Sequence, residues 1–175
     1  MIPAVDRRGL LPPGRYGASL AEVYDTFVTS ERRAQMHAQL VSLVQLTVRR
    51  LGGLPFVWIG GGFLDLSREP DDLDVTCLIE HDRLQKAFND GGGAKAFALA
   101  LADGTLATVL PLLDVHLLPV EPPFVGAMSD ASLGQRKYLA HRGYWDALWG
   151  SSRDPSGSPV PADRGYLEVR IDGYR

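Results

Sequence analysis

Phe56-Val57-Trp58-Ile59-Gly60-Gly61-Gly62-Phe63, followed after the stretch from Phe63 to Asp71 by Asp72-Leu73-Asp74-Val75, decides the reading of this chain. The apolar run Phe56 to Ile59 predicts a buried strand that enters a glycine turn. A second strand is predicted over about Leu73 to Ile79. Strand side chains alternate between faces, so Asp72 and Asp74 should project from one side and Leu73 and Val75 from the other. Two carboxylates held side by side repel, and the pair is stable only with a cation between them or with one member protonated. Mg²⁺ suits such a pair because it is hard, prefers oxygen and is usually held by one or two carboxylates plus substrate phosphates; Mn²⁺ is the alternative ion. The backbone N–H groups of Gly60, Gly61 and Gly62 suit a phosphate. The segment therefore reads as a site for a metal-bound nucleoside triphosphate.

Charge around this segment points the same way. Asp65, Glu69, Asp71, Asp72 and Asp74 face a single base, Arg68, between positions 65 and 74. Arg68 is a phosphate contact or a surface ion-pair partner of Asp65 or Glu69. A third carboxylate, Asp114, interrupts the apolar run Leu112 to Val120, which predicts a third strand. A lone charge inside an apolar strand is costly unless it is paired or bound to metal. A salt bridge or a helix N-cap contact would account for it. A strand placed beside the second one would instead bring Asp114 next to Asp72 and Asp74. Three carboxylates on adjacent strands can hold two divalent ions about 3.5–4 Å apart for in-line attack on phosphorus. Asp114 is also placed to serve as general base for an attacking hydroxyl. His116, two residues on, faces the same way, either orienting a carboxylate or contacting substrate, or filling the wall.

The chain has 175 residues, of which 45% are apolar and 22% charged, values ordinary for one globular domain over 1–175. No stretch approaches the roughly 18–20 apolar residues of a membrane span. The first residues lack the order of a signal peptide, and the single cysteine, Cys77, excludes an intramolecular disulfide, so a cytoplasmic location is expected. A net charge of −3 argues against a general nucleic-acid binder.

The rest of the chain reads as helices alternating with strands. Residues 1–18 are turn-rich and expected as an extended arm. Ser19 and Glu22 have capping-box spacing for a helix over Leu20 to Val28. A long helix should follow from Glu31 to about Leu51, closed by Arg49, Arg50 and Gly52-Gly53. Helices are expected over His81 to Phe88, Ala94 to Ala102 and Ser132 to Trp149, with Gly91-Gly92-Gly93 a flexible loop. Positions 151–163 should be a mobile loop before a last strand, Tyr166 to Ile171. This order predicts an α/β (α+β) sandwich in which a mixed sheet is covered by helices, with the long N-terminal helix across one face.

Gly61-Gly62, Asp72-Leu73-Asp74 and Asp114 together resemble the signature of the DNA polymerase beta-like nucleotidyltransferase superfamily. Leu11-Pro12-Pro13-Gly14, Trp58-Ile59 and Pro70-Asp71-Asp72-Leu73-Asp74-Val75 are similar to a poorly characterised family of small bacterial nucleotidyltransferase-like proteins. The resemblance implies an αβα fold, Mg²⁺ at Asp72 and Asp74 with Asp114 completing the site, and phosphates held at the glycine turn. It also implies transfer of a nucleoside monophosphate from an NTP to an acceptor hydroxyl, with loss of pyrophosphate. Two positions depart from the pattern: Gly62 stands where serine is common, and Arg68 where lysine is frequent. Small bacterial proteins of this kind often belong to toxin–antitoxin or phage-defence modules, which makes tRNA or a partner protein the implied acceptor. The alternatives are an inactive nucleotidyltransferase fold kept as an antitoxin or scaffold, and a small-molecule transferase.

Among the remaining candidates, His37 lies on the apolar stripe of the long helix and is expected in the core. Arg136, Lys137, Tyr138, His141, Arg142 and Tyr144 recur at helical spacing and read first as a solvated face, second as a hold on triphosphate or RNA. Trp145 and Trp149 are expected to pack inward.

Overall fold

Two serines set the N-terminal helices in the computed structural model, which describes residues 1–154 and 156–171. Ser19 closes a capping box with Glu22 at the start of α1 (Leu20–Phe27), and the Ser30 hydroxyl accepts from the Arg33 N–H at the start of α2 (Glu31–Leu51). Each oxygen satisfies an amide that the first helical turn leaves without a partner. Arg49 and Arg50 lie against the carbonyl end of α2, and Gly52 stops it in the left-handed region with φ 78°.

The main sheet is five-stranded and mixed. It consists of β1 (Gly14–Ala18), β2 (Phe56–Gly60), β3 (Leu73–Glu80), β4 (Leu113–Val120) and a last strand, β7 (Gly165–Arg170). A separate hairpin of β5 (Ser152–Arg153) and β6 (Pro159–Val160) precedes β7. The order across the main sheet is β1-β7-β2-β3-β4. The β1/β7 and β3/β4 pairs are parallel, while β2 runs antiparallel to both β3 and β7. With α3 (His81–Asp90), α4 (Gly92–Asp103) and α5 (Leu133–Trp149), the described residues form five α-helices on a mixed sheet, an α+β arrangement.

Side-chain alternation divides the sheet between two packing partners. Val57, Ile59, Val75, Cys77 and Ile79 share a buried cluster with Met36, Leu40 and Leu43 of α2. The opposite face carries Trp58 and Thr76 and meets α5. There Trp149 Nε1 donates to Thr76 Oγ1 at 2.9 Å, and the Arg142 guanidinium lies 6.0 Å from the Trp58 ring centre. Trp149 is the one fully buried residue of α5 among those described. The helix therefore leaves an open cleft between itself and the sheet.

Several stretches differ from the sequence expectation. The end of the 1–18 arm is not free, because Gly14–Ala18 pairs along β7 from Gly14↔Gly165 to Ala18↔Val169. Gly91 and Gly92 form a helix–helix junction in place of a loop, with α4 beginning one residue after the Gly91 cap of α3. The 151–163 stretch contains the β5/β6 hairpin. Position 155 within it, and 172–175 at the end of the expected 1–175 unit, lie outside the described residues.

Two arginines of α2 fix the segment leading into β3. Arg33 is 1% exposed. Its Nη1 donates to the Phe27 and Phe63 carbonyls at 3.2 and 2.7 Å, and its Nη2 to those of Asp65 and Arg68 at 2.6 and 2.8 Å. Arg32 donates to the carbonyls of Pro70 and Asp71 at 2.9 and 2.5 Å. These bonds satisfy carbonyls that belong to no ladder and hold the loop against the helix.

Candidate metal and nucleotide site

The parallel pairing of β3 with β4 sets Asp74 opposite Asp114 and Thr76 opposite His116. Residues two apart on a strand share a face, so the sheet gathers Asp74, Asp114 and His116 on the side facing α5. One ligand atom from each lies within 4.8 Å of the others. His116 Nε2 is 3.3 Å from Asp114 Oδ2. The imidazole is held against two indoles, with its centre 4.6 Å from that of Trp145 and 5.8 Å from that of Trp149.

Asp74 is the strained member of this group. Burial pushes its carboxyl above the usual carboxylate range, and the charges of Asp72 and Asp114 add to the rise, against a smaller pull from Arg164 and His116. Among the described residues no hydrogen bond or salt bridge reaches its oxygens. Asp114, in contrast, is not the buried lone charge expected from its apolar strand. Its side chain is 53% exposed, because β4 opens into the cleft at this point. Asp72 lies one residue before β3, which starts where Leu73 N–H bonds to Leu112 O at 2.9 Å. Asp72 is exposed, and its charge reaches Asp74, but it stands at the cleft rim outside the convergent trio.

The glycines divide into three roles. Gly61 has φ 66°, and a Cβ there would sit 1.4 Å from Asp74 Oδ2, so the carboxylate occupies space that only glycine leaves open. Gly62 lines the cleft, where a Cβ would meet only Arg68 Nη2 at 3.3 Å and Pro70 at 3.8 Å before more distant atoms. Gly60, expected as a phosphate contact, is buried at the end of β2, and a Cβ there would lie 2.5 Å from the Trp149 indole. It is under the aromatic wall and does not line the cleft.

The cleft has a volume of about 1160 Å³, and its lining includes Arg8, Arg68, Arg153 and Arg164 together with Asp74, Asp114 and His116. Arg68 takes up its ion-pair alternative, donating from Nε to Asp65 Oδ2 at 3.1 Å while remaining 65% exposed toward the cleft. Arg164 was not singled out by sequence reasoning. It donates to the Gly61 carbonyl at 3.2 Å, its Nε is buried without a partner, and burial pulls its pKa down against the opposing charge of Asp74. Its only sequence signal is a lone cation at the mouth of the last strand. Trp145 also departs from expectation. It is half-buried on the cleft wall, stacked on Trp149 at 5.4 Å, while Trp149 alone enters the core. Lys137 and His141 are exposed on the solvated face of α5, whereas Tyr144, though exposed, lines the cleft with its ring 5.1 Å from that of Trp145. His37 is a core residue bonded through Nε2 to Leu20 O at 3.0 Å.

The trio fits a divalent cation on three counts. Its ligand atoms converge, Asp74 has no hydrogen bond or salt bridge among the described residues, and the backbone beside it is cut back to glycine. The arginines in the lining can balance an anion entering the same cleft.

A model of a family of unknown function, DUF6932, matches residues 3–170, and the chain belongs to that family. Comparison with curated proteins and with solved structures gives no match. No helix among the described residues is long and apolar enough to cross a membrane.

Proposed function

We propose that this member of the DUF6932 family is a nucleotidyltransferase with a nucleotidyltransferase-like αβα sandwich, moving a nucleoside monophosphate from an NTP to an acceptor hydroxyl. The observation that carries the reading is the Asp74–Asp114 pair, set side by side by strand register and backed by Gly61, in a cleft whose lining also carries Arg8, Arg68, Arg153 and Arg164. A divalent ion bound there, Mg²⁺ or Mn²⁺, would offset the carboxylate charge, screen a triphosphate and acidify a nearby hydroxyl. Asp74 and Asp114 hold it, with Asp72 at the rim adding negative charge. Gly61 leaves room for the Asp74 carboxylate and Gly62 for phosphate oxygens to approach the backbone, and Arg68, Arg153 and Arg164 orient the triphosphate by charge. In the transfer, the acceptor oxygen bonds to the α-phosphorus, the bond to the bridging oxygen breaks, and pyrophosphate leaves. Asp114, the exposed carboxylate, takes the hydroxyl proton. RNA, tRNA in particular, or a partner protein is the acceptor class, as suits a toxin–antitoxin or defence module.

A second reading, an inactive nucleotidyltransferase fold kept as an antitoxin or scaffold, draws on one observation. Gly62 offers no hydroxyl to a phosphate, and Arg68 is already paired with Asp65. Incubation with NTPs labelled at the α- or the γ-phosphorus, Mg²⁺, total tRNA and cell lysate separates the two readings. Transfer predicts that the α label enters an acceptor, that the γ label does not, and that Asp74→Asn abolishes both labelling and pyrophosphate release. No labelled acceptor and no pyrophosphate with any NTP would leave the scaffold reading in its place.

A further inference from the structure

We infer that His116 is a direct nitrogen ligand of the metal held by Asp74 and Asp114, and that the site therefore favours Mn²⁺ over Mg²⁺. This rests on the metal reading above and goes beyond a site made of carboxylates alone. The group that converges in the cleft is two carboxylates and one imidazole, with Asp72 outside it. An ion with ligand bonds of about 2.1 Å keeps adjacent ligand atoms about 3.0 Å apart and opposite ones about 4.2 Å apart. The 3.3 Å between His116 Nε2 and Asp114 Oδ2 is close to the adjacent spacing, and the whole trio lies within 4.8 Å. Small side-chain adjustments bring all three atoms onto one ion.

Two further features make the imidazole a ligand and not only a neighbour of Asp114. Its ring is packed against Trp145 and Trp149, so its orientation toward the carboxylates is set before any ion arrives. It comes from the same strand as Asp114, two residues on, so both donors move as one rigid unit opposite Asp74. Mg²⁺ seeks oxygen and gives up water reluctantly, whereas a nitrogen donor adds affinity for first-row transition ions, of which Mn²⁺ also suits carboxylate oxygen. Replacing one oxygen donor by imidazole thus shifts the preference toward Mn²⁺.

The test is Mn²⁺ binding to the full chain without nucleotide, followed by electron paramagnetic resonance. Pulsed spectra of the bound ion should show the coupling of one directly bonded ¹⁴N, and histidine labelled with ¹⁵N should change that coupling. His37 and His81 are occupied elsewhere, by Leu20 O and by Glu121. In His116→Gln the nitrogen coupling should vanish, Mn²⁺ affinity should fall about 10-fold or more, and Mg²⁺ affinity should change less than Mn²⁺ affinity. Bound Mn²⁺ with no nitrogen coupling in the wild type, or coupling that survives His116→Gln, overturns the inference while leaving the carboxylate site standing. Mn²⁺ that stays free in solution at every concentration overturns both this inference and the metal reading beneath it.

Discussion

Replacing Gly61 by alanine adds a single carbon where the glycine turn meets the acidic pair, and its consequences follow from two features of the backbone there. The backbone there has φ 66°, a region in which a side chain costs about 1–2 kcal/mol. The new Cβ would stand 1.4 Å from Asp74 Oδ2, and real contacts keep at least 3.0 Å, so the carboxylate must retreat by about 1.6 Å. A displacement of that size takes one ligand out of reach of an ion shared with Asp114. Metal affinity should fall by about 10–100-fold, and transfer by about 100-fold or more. The fold should survive, since the backbone cost is a modest share of the roughly 5–15 kcal/mol that stabilises a domain. Gly62→Ala is the matched control, because its Cβ meets only the flexible end of Arg68 at 3.3 Å and the ordinary contact with Pro70. Urea unfolding and Mn²⁺ titration of both variants provide the assay. Gly61→Ala that binds Mn²⁺ within about twofold of wild type, or Gly62→Ala that loses as much as Gly61→Ala, would refute the placement of Asp74 against the turn.

Three further outcomes follow from the same structure. Arg33→Met removes four hydrogen bonds, leaving the Phe63, Asp65 and Arg68 carbonyls without this donor while Phe27 keeps the Thr29 N–H, and should lower unfolding free energy by about 3–5 kcal/mol, read as a shift of the urea midpoint; a loss under about 1 kcal/mol would contradict the staple. Burial raises the Asp74 carboxyl above the ordinary aspartate value of 3.8 in the folded protein, so its contribution is favourable below that value and is lost as pH rises through the folded pKa. In metal-free buffer Asp74→Asn should therefore be more stable than wild type at neutral pH, with the gap closing in acid, and a variant less stable at neutral pH would reverse the sign. Cys77 is fully buried with its thiol pushed up to about 12, so a thiol reagent should label it only at the rate of unfolding; immediate labelling of the native protein would show the strand exposed.

Local signals were the legible ones. Ser19 with Glu22, Ser30 and Gly52 announce helix ends through short-range hydrogen bonding, and the structure has those caps. The strands around Val57, Val75 and Leu118 announce themselves by apolar runs. What could not be read was register and partnership across long separations. Nothing in the sequence fixes Asp74 opposite Asp114; the two-residue spacing put His116 on the face of Asp114, but its convergence with Asp74, and the place of Asp72 outside the trio, come from the register. Arg33 has the look of a solvated helix charge, and only the folded loop from Phe63 to Arg68 supplies the carbonyls that bury it. Arg164 escaped for a similar reason: its role depends on β7 lying beside β2, which brings it to the Gly61 carbonyl. The arm before α1 offered turn residues, and its pairing with β7 is set by tertiary contact between the two ends of the chain.

In the proposed function, Asp74 and Asp114 hold a divalent ion facing a triphosphate in the cleft under α5. The most direct test is a crystal grown with Mn²⁺ and a non-hydrolysable NTP analogue, measured for anomalous scattering. The predicted result is one anomalous peak at about 2.1–2.2 Å from an oxygen of Asp74, an oxygen of Asp114 and His116 Nε2, with the phosphates on the side of Gly61, Gly62 and Arg164. An analogue ordered elsewhere on the protein, or a cleft with no anomalous peak between the two carboxylates, would contradict it.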